Sequence, residues 1–236
     1  MATRNIKPRP VAGKPATLAS AAYERLRREI IGGTFPAGRK LHIRRLCERY
    51  QMGLSPVREA LNRVSRDGLV RQNDLRGFSV APMSLEDLCD LTLTRCWLNE
   101  LALRRSIAEG GAAWEEGVVL AFHRFSRSPP PEPDATEAAR DTHENAHRAF
   151  HASLIAACGS ARLQAYCEQL FDAADRYRNL KLPQQLQERR KHNEHRVIMD
   201  AVLARDADKA VALLSAHFRN TERIAAEALR RGKSGR

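Results

Sequence analysis

Apolar residues recur at three- and four-residue intervals along most of the chain, which is the spacing of one face of an α-helix. The clearest case lies between residues 54 and 69, where a stripe is formed by Val57, Leu61, Val64 and Leu69. Ser55 precedes this stripe as a good N-cap, and a proline follows it at a position where a missing N–H costs nothing. The pattern predicts a helix that opens at Ser55 and buries one face.

The segments around this helix complete a known arrangement. A first helix is predicted over residues 18–31, and a helix-turn-helix over residues 43–67 with its turn at Gly53. Two short alternating runs follow at residues 69–72 and 77–81, as expected for a β-hairpin. The order predicts a winged helix-turn-helix.

Polar residues of the second motif helix lie off its apolar stripe, among them Arg58, Asn62, Arg63 and Arg66. A helix that buries one face and carries arginine and asparagine on the other suits the DNA major groove. These residues are therefore candidates for contacts with double-stranded DNA.

Beyond Ser84 the pattern is helical throughout, with no strand signal. Six helices are predicted, over residues 85–109, 112–127, 136–157, 160–180, 183–205 and 207–231. The expected fold class is mainly α, a winged helix-turn-helix followed by an all-α bundle. The expected domains are a flexible basic arm (1–17), a DNA-binding domain (18–83), an effector-binding and dimerisation domain (84–231) and a tail (232–236).

The charge balance supports a polyanionic partner. The chain has 40 Lys and Arg against 28 Asp and Glu, a net charge of +12, and such an excess favours nucleic acid. The sequence has no run of 18 apolar residues, so no membrane span is expected. The basic, proline-rich N-terminus lacks the apolar stretch of a signal peptide. The five cysteines are odd in number and lack CxxC spacing, as expected of reduced thiols in the cytoplasm.

Four histidines of the bundle are candidate metal ligands. His147 and His151 are four apart, on one helix face. His195 and His217 lie at similar distances from the turn at residues 205–208, so two antiparallel helices would bring them level. Four imidazoles suit Zn²⁺, Ni²⁺ or Cu²⁺, with Zn or Ni expected here. A packing role for each histidine remains the alternative, and His143 could compete as a ligand.

Two sets of motifs resemble known families. IIGGTFPAGRKL, SPVREAL and RDGLV followed by GFSV resemble the winged domain of the GntR regulators. AFHASLIAACGSARL and EHRVIMDAVLARDADKAVALLSAHF resemble the FCD effector domain of the FadR subfamily. The resemblance implies a homodimer on a palindromic operator, regulated by a small organic acid that binds beside a divalent metal.

The resemblance also assigns roles to individual residues on the DNA side. Arg44 and Arg58 match DNA-contacting arginines of the family, and Arg76 with Gly77 matches the tip of the wing. Ser55 falls at the turn, where many members carry an arginine that this chain lacks. The operator sequence is therefore open.

In the effector domain, the family's four ligand positions map onto His147, His151, His195 and His217, with His147 in place of the usual aspartate. This replacement resembles the regulators of glutarate and 2-hydroxyglutarate utilisation, which implies a dicarboxylate effector. With histidine in place of aspartate, a bound metal ion would keep its full positive charge and attract an anionic effector more strongly. Arg95 and Arg178 are candidates for the distal carboxylate, or alternatively partners in structural salt bridges.

Two other functions are compatible with these features. The histidine cluster could serve a metal-dependent hydrolase with an accessory DNA-binding head, although such a head is an odd companion for a hydrolase. The chain could also be an architectural DNA-binding protein without an effector. We expect a transcription regulator that acts as a repressor, and not an enzyme.

Overall fold

The computed structural model describes residues 17–73, 77–128, 135–179 and 188–234. Contacts divide the chain into two units, Met1–Pro82 and Met83–Arg236. The predicted junction, between residues 83 and 84, lies one residue later. Most of the predicted arm, residues 1–16, lies outside the described residues, as do Arg76 at the predicted wing tip and the last two residues of the tail.

The first unit is a winged helix-turn-helix, as predicted. Its helices are α1 (Leu18–Ile31), α2 (Ile43–Tyr50) and α3 (Leu54–Arg66), and its strands are β1 (Lys40–Leu41), β2 (Val70–Asn73) and β3 (Gly77–Val80). The strands form an antiparallel sheet in the order β1-β3-β2. Strand β1 was not predicted, because two residues are too few to show an alternating pattern.

The apolar stripe of α3 forms the core of this unit. Val57, Leu61 and Val64 are at most 1% exposed, and they pack with Leu26 of α1 and Leu69 beside the sheet. Burying such side chains contributes about 1.5–3 kcal/mol each, so the stripe fixes which face of α3 points outward.

The predicted N-cap of α3 is wrong. The helix begins at Leu54, and its cap position is taken by Gly53, whose extended backbone has φ −68° and ψ 171° and makes no side-chain capping bond. Ser55 instead lies inside the first turn and is exposed. Glycine at an N-cap position stabilises a helix only slightly less than serine does, so α3 can begin after Gly53 without a serine cap.

The second unit is an all-α bundle. Its helices are α4 (Leu85–Glu109), α5 (Ala112–Ser126), α6 (Glu137–Leu154), α7 (Ala161–Arg178), α8 (Glu188–Leu203) and α9 (Ala207–Ser234). Four of them start at side-chain caps. Ser84 accepts from the Asp87 N–H at 3.0 Å, Thr136 and Ser160 cap α6 and α7, and Asp206 accepts from the Lys209 N–H at 3.0 Å at the start of α9. The predicted start of the fifth helix, at residue 183, lies outside the described residues. None of the described helices is long and apolar enough to cross a membrane.

Packing brings the histidine-bearing helices together. Helix α4 packs on α7 and α9, α8 packs on α9, and α6 lies against α5 and α7. The core includes Leu103, Phe150, Leu154, Ile198 and Val202, all at most 1% exposed. Helices α6, α8 and α9 therefore face one interior region.

Candidate metal and effector site

The four predicted histidines meet inside the bundle. His147 and His151 lie one turn apart on α6, His195 lies on α8 and His217 on α9, and each is at most 7% exposed. The Nε2 atoms of the first three form a triangle, with His151 3.1 Å from His147 and His195 3.2 Å from each of the others. One donor atom from each of the four rings lies within 4.8 Å of the others.

This triangle fits a divalent metal. A point equidistant from three nitrogens at these separations is about 1.8 Å from each, close to but below the 2.0–2.1 Å of a zinc–imidazole bond. One ion could thus reach all three nitrogens without displacing their helices. The chemistry also suits a cation, because imidazole nitrogens that carry lone pairs at this separation repel one another unless a proton or a metal ion lies between them.

His217 completes the set through a second interaction. Its Nδ1 lies 2.9 Å from the Glu194 carboxylate, and its ring centroid is 4.5 Å from that of His195. A carboxylate on Nδ1 holds a neutral histidine in the tautomer that leaves Nε2 free to bind a metal. Asn220 donates to the other oxygen of the same carboxylate at 3.0 Å.

His147 has a different environment. Arg178 donates to its Nδ1, and an arginine can only donate. A neutral His147 ring then carries its proton on Nε2, the atom that would otherwise bind the metal. Of the four histidines, His147 is therefore the one whose present hydrogen bond opposes metal ligation.

Burial favours the neutral, unprotonated form of two of the four histidines. Burial lowers the pKa of His147 well below 6.5, and the positive charge of Arg178 lowers it further. Burial likewise lowers the pKa of His151, with the neighbouring histidines adding to the effect. Neutral imidazoles are the form that binds metal, so the lowered pKa values of His147 and His151 favour metal binding by these two residues.

The histidines line a small cavity with a volume of about 30 Å³ for water-sized molecules, which lies within about 380 Å³ of empty space that includes open solvent. Its other walls come from α4, α7 and α9, and comprise Arg95, Phe171, Ala174, Asp175, Arg178, Phe218 and Thr221. Both arginines predicted to bind an effector thus lie in the cavity wall.

The two arginines differ in their partners. Arg95 is 7% exposed, and its guanidinium carbon lies 4.0 Å from the ring centroid of Phe218. No residue in the described ranges forms an ion pair or hydrogen bond with its side chain. Burial lowers its pKa from 12.5 to about 10, and the charge of Asp175 offsets part of this effect.

Arg178, in contrast, is already paired. It donates to Glu144 and lies 3.2 Å from Asp175. Arg148 pairs with Asp172 and lies 3.6 Å from Asp175. Burial raises the pKa of Asp175 to about 6 in spite of the two arginines. The salt-bridge alternative therefore describes Arg178, whereas Arg95 forms no salt bridge with any residue of the described ranges and is stabilised only in part by the nearby charge of Asp175.

Sequence reasoning missed several wall residues. Phe171 and Asp175 were missed, although they precede the predicted Arg178 by seven and three residues on α7 and so share its helix face, which was a usable signal. Glu194 and Phe218 were missed because a glutamate and a phenylalanine beside a histidine have no distinctive pattern.

The DNA-side candidates lie on α2, α3 and the wing. Arg44, Ser55 and Arg58 are exposed, and Asn62 is half-buried. Gly77 opens β3 with φ 80°, a left-handed conformation that glycine adopts without strain.

Arg63 is placed differently from the other α3 candidates. Its guanidinium carbon lies 4.1 Å from the Tyr23 ring centroid, and it donates to the Ser20 hydroxyl at 3.3 Å. Both partners belong to α1, so Arg63 is engaged in packing within the domain.

Comparisons with known proteins agree with this architecture. Residues 18–80 match bacterial regulatory proteins of the gntR family, and residues 90–220 match the FCD domain. The regulator BphR of Paraburkholderia xenovorans is 38% identical over 87% of this chain and 84% of its own length. The transcriptional repressor GlaR of Escherichia coli is 35% identical over 83% of this chain and 90% of its own length.

Solved structures share the fold. McbR/YncC of E. coli has a TM-score of 0.73 at 16% identity and covers 90% of this chain and 98% of its own. A protein of Rhodococcus sp. RHA1, assigned as a GntR transcriptional regulator, has a TM-score of 0.69 at 22% identity, and the match covers 89% of this chain and 98% of the Rhodococcus chain. The relatives are regulators, so the hydrolase alternative is rejected. The chain belongs to the GntR family of bacterial transcriptional regulators and carries an FCD domain.

Proposed function

We propose that this protein is a homodimeric repressor that binds a palindromic operator in the cytoplasm and releases it when a small organic dianion binds beside a metal ion in the FCD domain. The observation that carries the proposal is the buried Arg95 in the wall of the cavity that the four imidazoles line, since its side chain has no ion pair or hydrogen bond within the described ranges. The charge of Asp175 offsets only part of the cost of burying this cation, so an anion in the cavity would stabilise it further.

The DNA-binding half of the proposal rests on exposure and charge. Arg44 and Arg58 are exposed on α2 and α3, and the buried stripe of α3 leaves its polar face for the major groove. Asn62 is a base-contact candidate one turn further along, while Ser55, Arg76 and Gly77 are candidates for backbone and minor-groove contacts. We assign Arg63 an indirect role, because Tyr23 and Ser20 already hold it.

Repression is proposed from the relatives. GlaR of E. coli is named a transcriptional repressor, and 35% identity over most of both chains favours the same direction of control. Release by the effector then follows from linkage, because a ligand that prefers the form with low DNA affinity shifts the population toward that form.

The proposed cofactor is Zn²⁺ or Ni²⁺ held by His151, His195 and His217, with His147 joining only if Arg178 releases its Nδ1. Bound there, the ion would supply a Lewis acid that attracts a carboxylate. Within the chain, the Glu194 carboxylate would keep the His217 tautomer fixed.

The proposed effector is a five-carbon dicarboxylate such as glutarate or 2-hydroxyglutarate. One carboxylate would lie at the imidazole cluster and the other at Arg95, which can bind it through two parallel hydrogen bonds. Arg178 is the weaker candidate for this role, since Glu144 and Asp175 already neutralise it. Arg178 would instead hold His147.

Calorimetry on zinc-loaded and nickel-loaded protein tests the proposal. Glutarate should bind at least about 30-fold more tightly than valerate, because valerate leaves the buried guanidinium unpaired. Equal affinity for the two acids would rule out a distal carboxylate site. Absence of binding by either acid, together with no metal uptake, would remove the metal-dependent effector site from the proposal.

A further inference from the structure

The last turn of α7 has two occupied faces. Asp175 and Arg178 lie in the wall of the histidine cavity, whereas Tyr177 packs with Leu88 and Leu91 of α4 in a second, smaller core. At 100° per residue, Tyr177 points about 160° away from Asp175 and about 100° away from Arg178. One turn of helix therefore contacts the cavity on one side and α4 on the other.

Tyr177 holds the beginning of α4. Its hydroxyl accepts a hydrogen bond from the Ser84 N–H at 3.2 Å and donates one to the Asp87 carboxylate. Burial and the bond to Asp87 raise the pKa of Tyr177, so the hydroxyl keeps the proton that it donates. Ser84 is the N-cap of α4 and follows Pro82, the last residue of the DNA-binding unit, by two positions. Tyr177 thus fixes the first turn of the helix to which that unit is attached.

The cavity is too small for the proposed effector as it stands. Its volume of about 30 Å³ for water-sized molecules is room for two or three waters at about 10–15 Å³ each, and a five-carbon dicarboxylate needs more. A carboxylate that binds Arg95 would also approach Asp175, whose charge already acts on that arginine. Like charges repel strongly in a buried site, so the α7 wall is the one that an anion displaces.

We propose that Tyr177 is a positioning residue that couples the effector cavity to α4. The effector displaces the last turn of α7, and Tyr177 then releases Ser84 and Asp87. This inference rests on the proposed effector-controlled repressor and adds the residue through which the effector acts. The form that binds DNA well keeps the Tyr177 contacts, and an effector that prefers the released form shifts the population toward it.

Tyr177→Phe tests the coupling, because it keeps the buried ring and removes only the hydroxyl. Without effector, the variant should bind a labelled operator at least about fivefold more weakly in fluorescence anisotropy, since the released form is now populated. Zinc-loaded variant should bind glutarate at least about fivefold more tightly in calorimetry, since the ligand no longer has to break the contacts. A merely structural role would not move the two affinities in opposite directions.

Trp114→Phe is the matched control. The Trp114 indole N–H donates to the Ser153 carbonyl at 2.8 Å, so this variant also loses one hydrogen bond of a large aromatic side chain in the bundle. Trp114 belongs neither to the cavity wall nor to the first turn of α4. The control should lower the melting temperature, as Tyr177→Phe does, but leave both affinities within about twofold of the wild type.

The outcomes separate the coupling from the proposed function. Operator affinity of Tyr177→Phe within twofold of the wild type overturns the coupling and leaves the repressor standing. Weaker operator binding without tighter glutarate binding assigns Tyr177 to stability and also overturns it. If glutarate does not bind the wild type, the dicarboxylate proposal fails and the operator measurement decides alone. A loss of operator affinity that Trp114→Phe does not share then supports the coupling, and equal losses in the two variants overturn it.

Discussion

Replacement of Arg95 by methionine should have opposite effects on stability and on effector binding. Arg95 is buried, packs on Phe218 and has no ion-pair partner in the described parts of the chain. Methionine keeps much of the apolar stem and removes the charge. The ligand-free protein should therefore become more stable, whereas its affinity for a dicarboxylate should fall.

The size of each effect follows from the site. Burial lowers the pKa of Arg95 from 12.5 to about 10, and one pKa unit corresponds to about 1.4 kcal/mol, so the charged form is disfavoured by about 3 kcal/mol. Part of this is offset by lost packing on Phe218, which leaves a gain of about 1–2 kcal/mol, or roughly 2–8 °C in melting temperature for a domain of this size. Loss of a buried carboxylate–guanidinium pair should cost about 2–5 kcal/mol of effector binding, or at least 30-fold in Kd.

The assay combines a thermal melt without ligand and calorimetry with glutarate on metal-loaded protein. Arg105→Met is the matched control, because Arg105 lies on the same helix with a side chain that is 58% exposed. It should change neither quantity. A lower melting temperature for Arg95→Met would show that Arg95 serves as a structural partner, and an unchanged glutarate affinity would refute its role as the anion receptor.

Three further predictions concern metal, DNA and pH. His151→Ala should abolish zinc uptake in elemental analysis, whereas His147→Ala should retain most of it; equal losses would contradict the tautomer argument. Arg58→Ala should weaken operator binding by about 1–3 kcal/mol in fluorescence anisotropy with no change in fold, while affinity within twofold of the wild type would reject the contact. In metal-free protein, the pKa values of His147 and His151 are lower in the folded than in the unfolded state. Below about pH 6.5 the unfolded chain therefore binds more protons, and the free energy of unfolding falls by up to about 1.4 kcal/mol per pH unit for each histidine, whereas above that pH it is unaffected. Urea unfolding at about pH 7.5 and 5.5 should show this slope, and His151→Asn should lessen it; the same slope in both proteins would contradict it.

Periodicity in the sequence predicted most of the fold. The apolar stripe of α3 and the breaks between helical stretches are local signals, so the predicted helices agree with the structure to within a few residues at most of the described ends. The N-cap at Ser55 failed because capping depends on backbone conformation, and Gly53 takes that position without a side-chain bond. Strand β1 failed because its pairing with β3 is long-range.

The sequence predicted that four histidines would cluster, and it picked out two arginines that line the same cavity, but it did not indicate the other wall residues. The cluster was predicted from two features: the four-residue interval between His147 and His151, and the similar distances of His195 and His217 from the turn that joins their helices. The different states of Arg95 and Arg178 could not be derived, because pairing depends on which carboxylates α6 and α7 bring near each guanidinium. Sequence spacing reports which face a residue occupies, not which partner it meets.

The most direct test of the central claim is the effect of a dicarboxylate on the DNA complex. Metal-loaded protein would be bound to a labelled duplex selected from a random pool, and glutarate, 2-hydroxyglutarate and valerate titrated in while anisotropy is followed. The account predicts that at least one dicarboxylate releases the DNA at concentrations where valerate does not, and that chelating the metal removes the response. Unchanged DNA affinity with every acid, with and without metal, would contradict it.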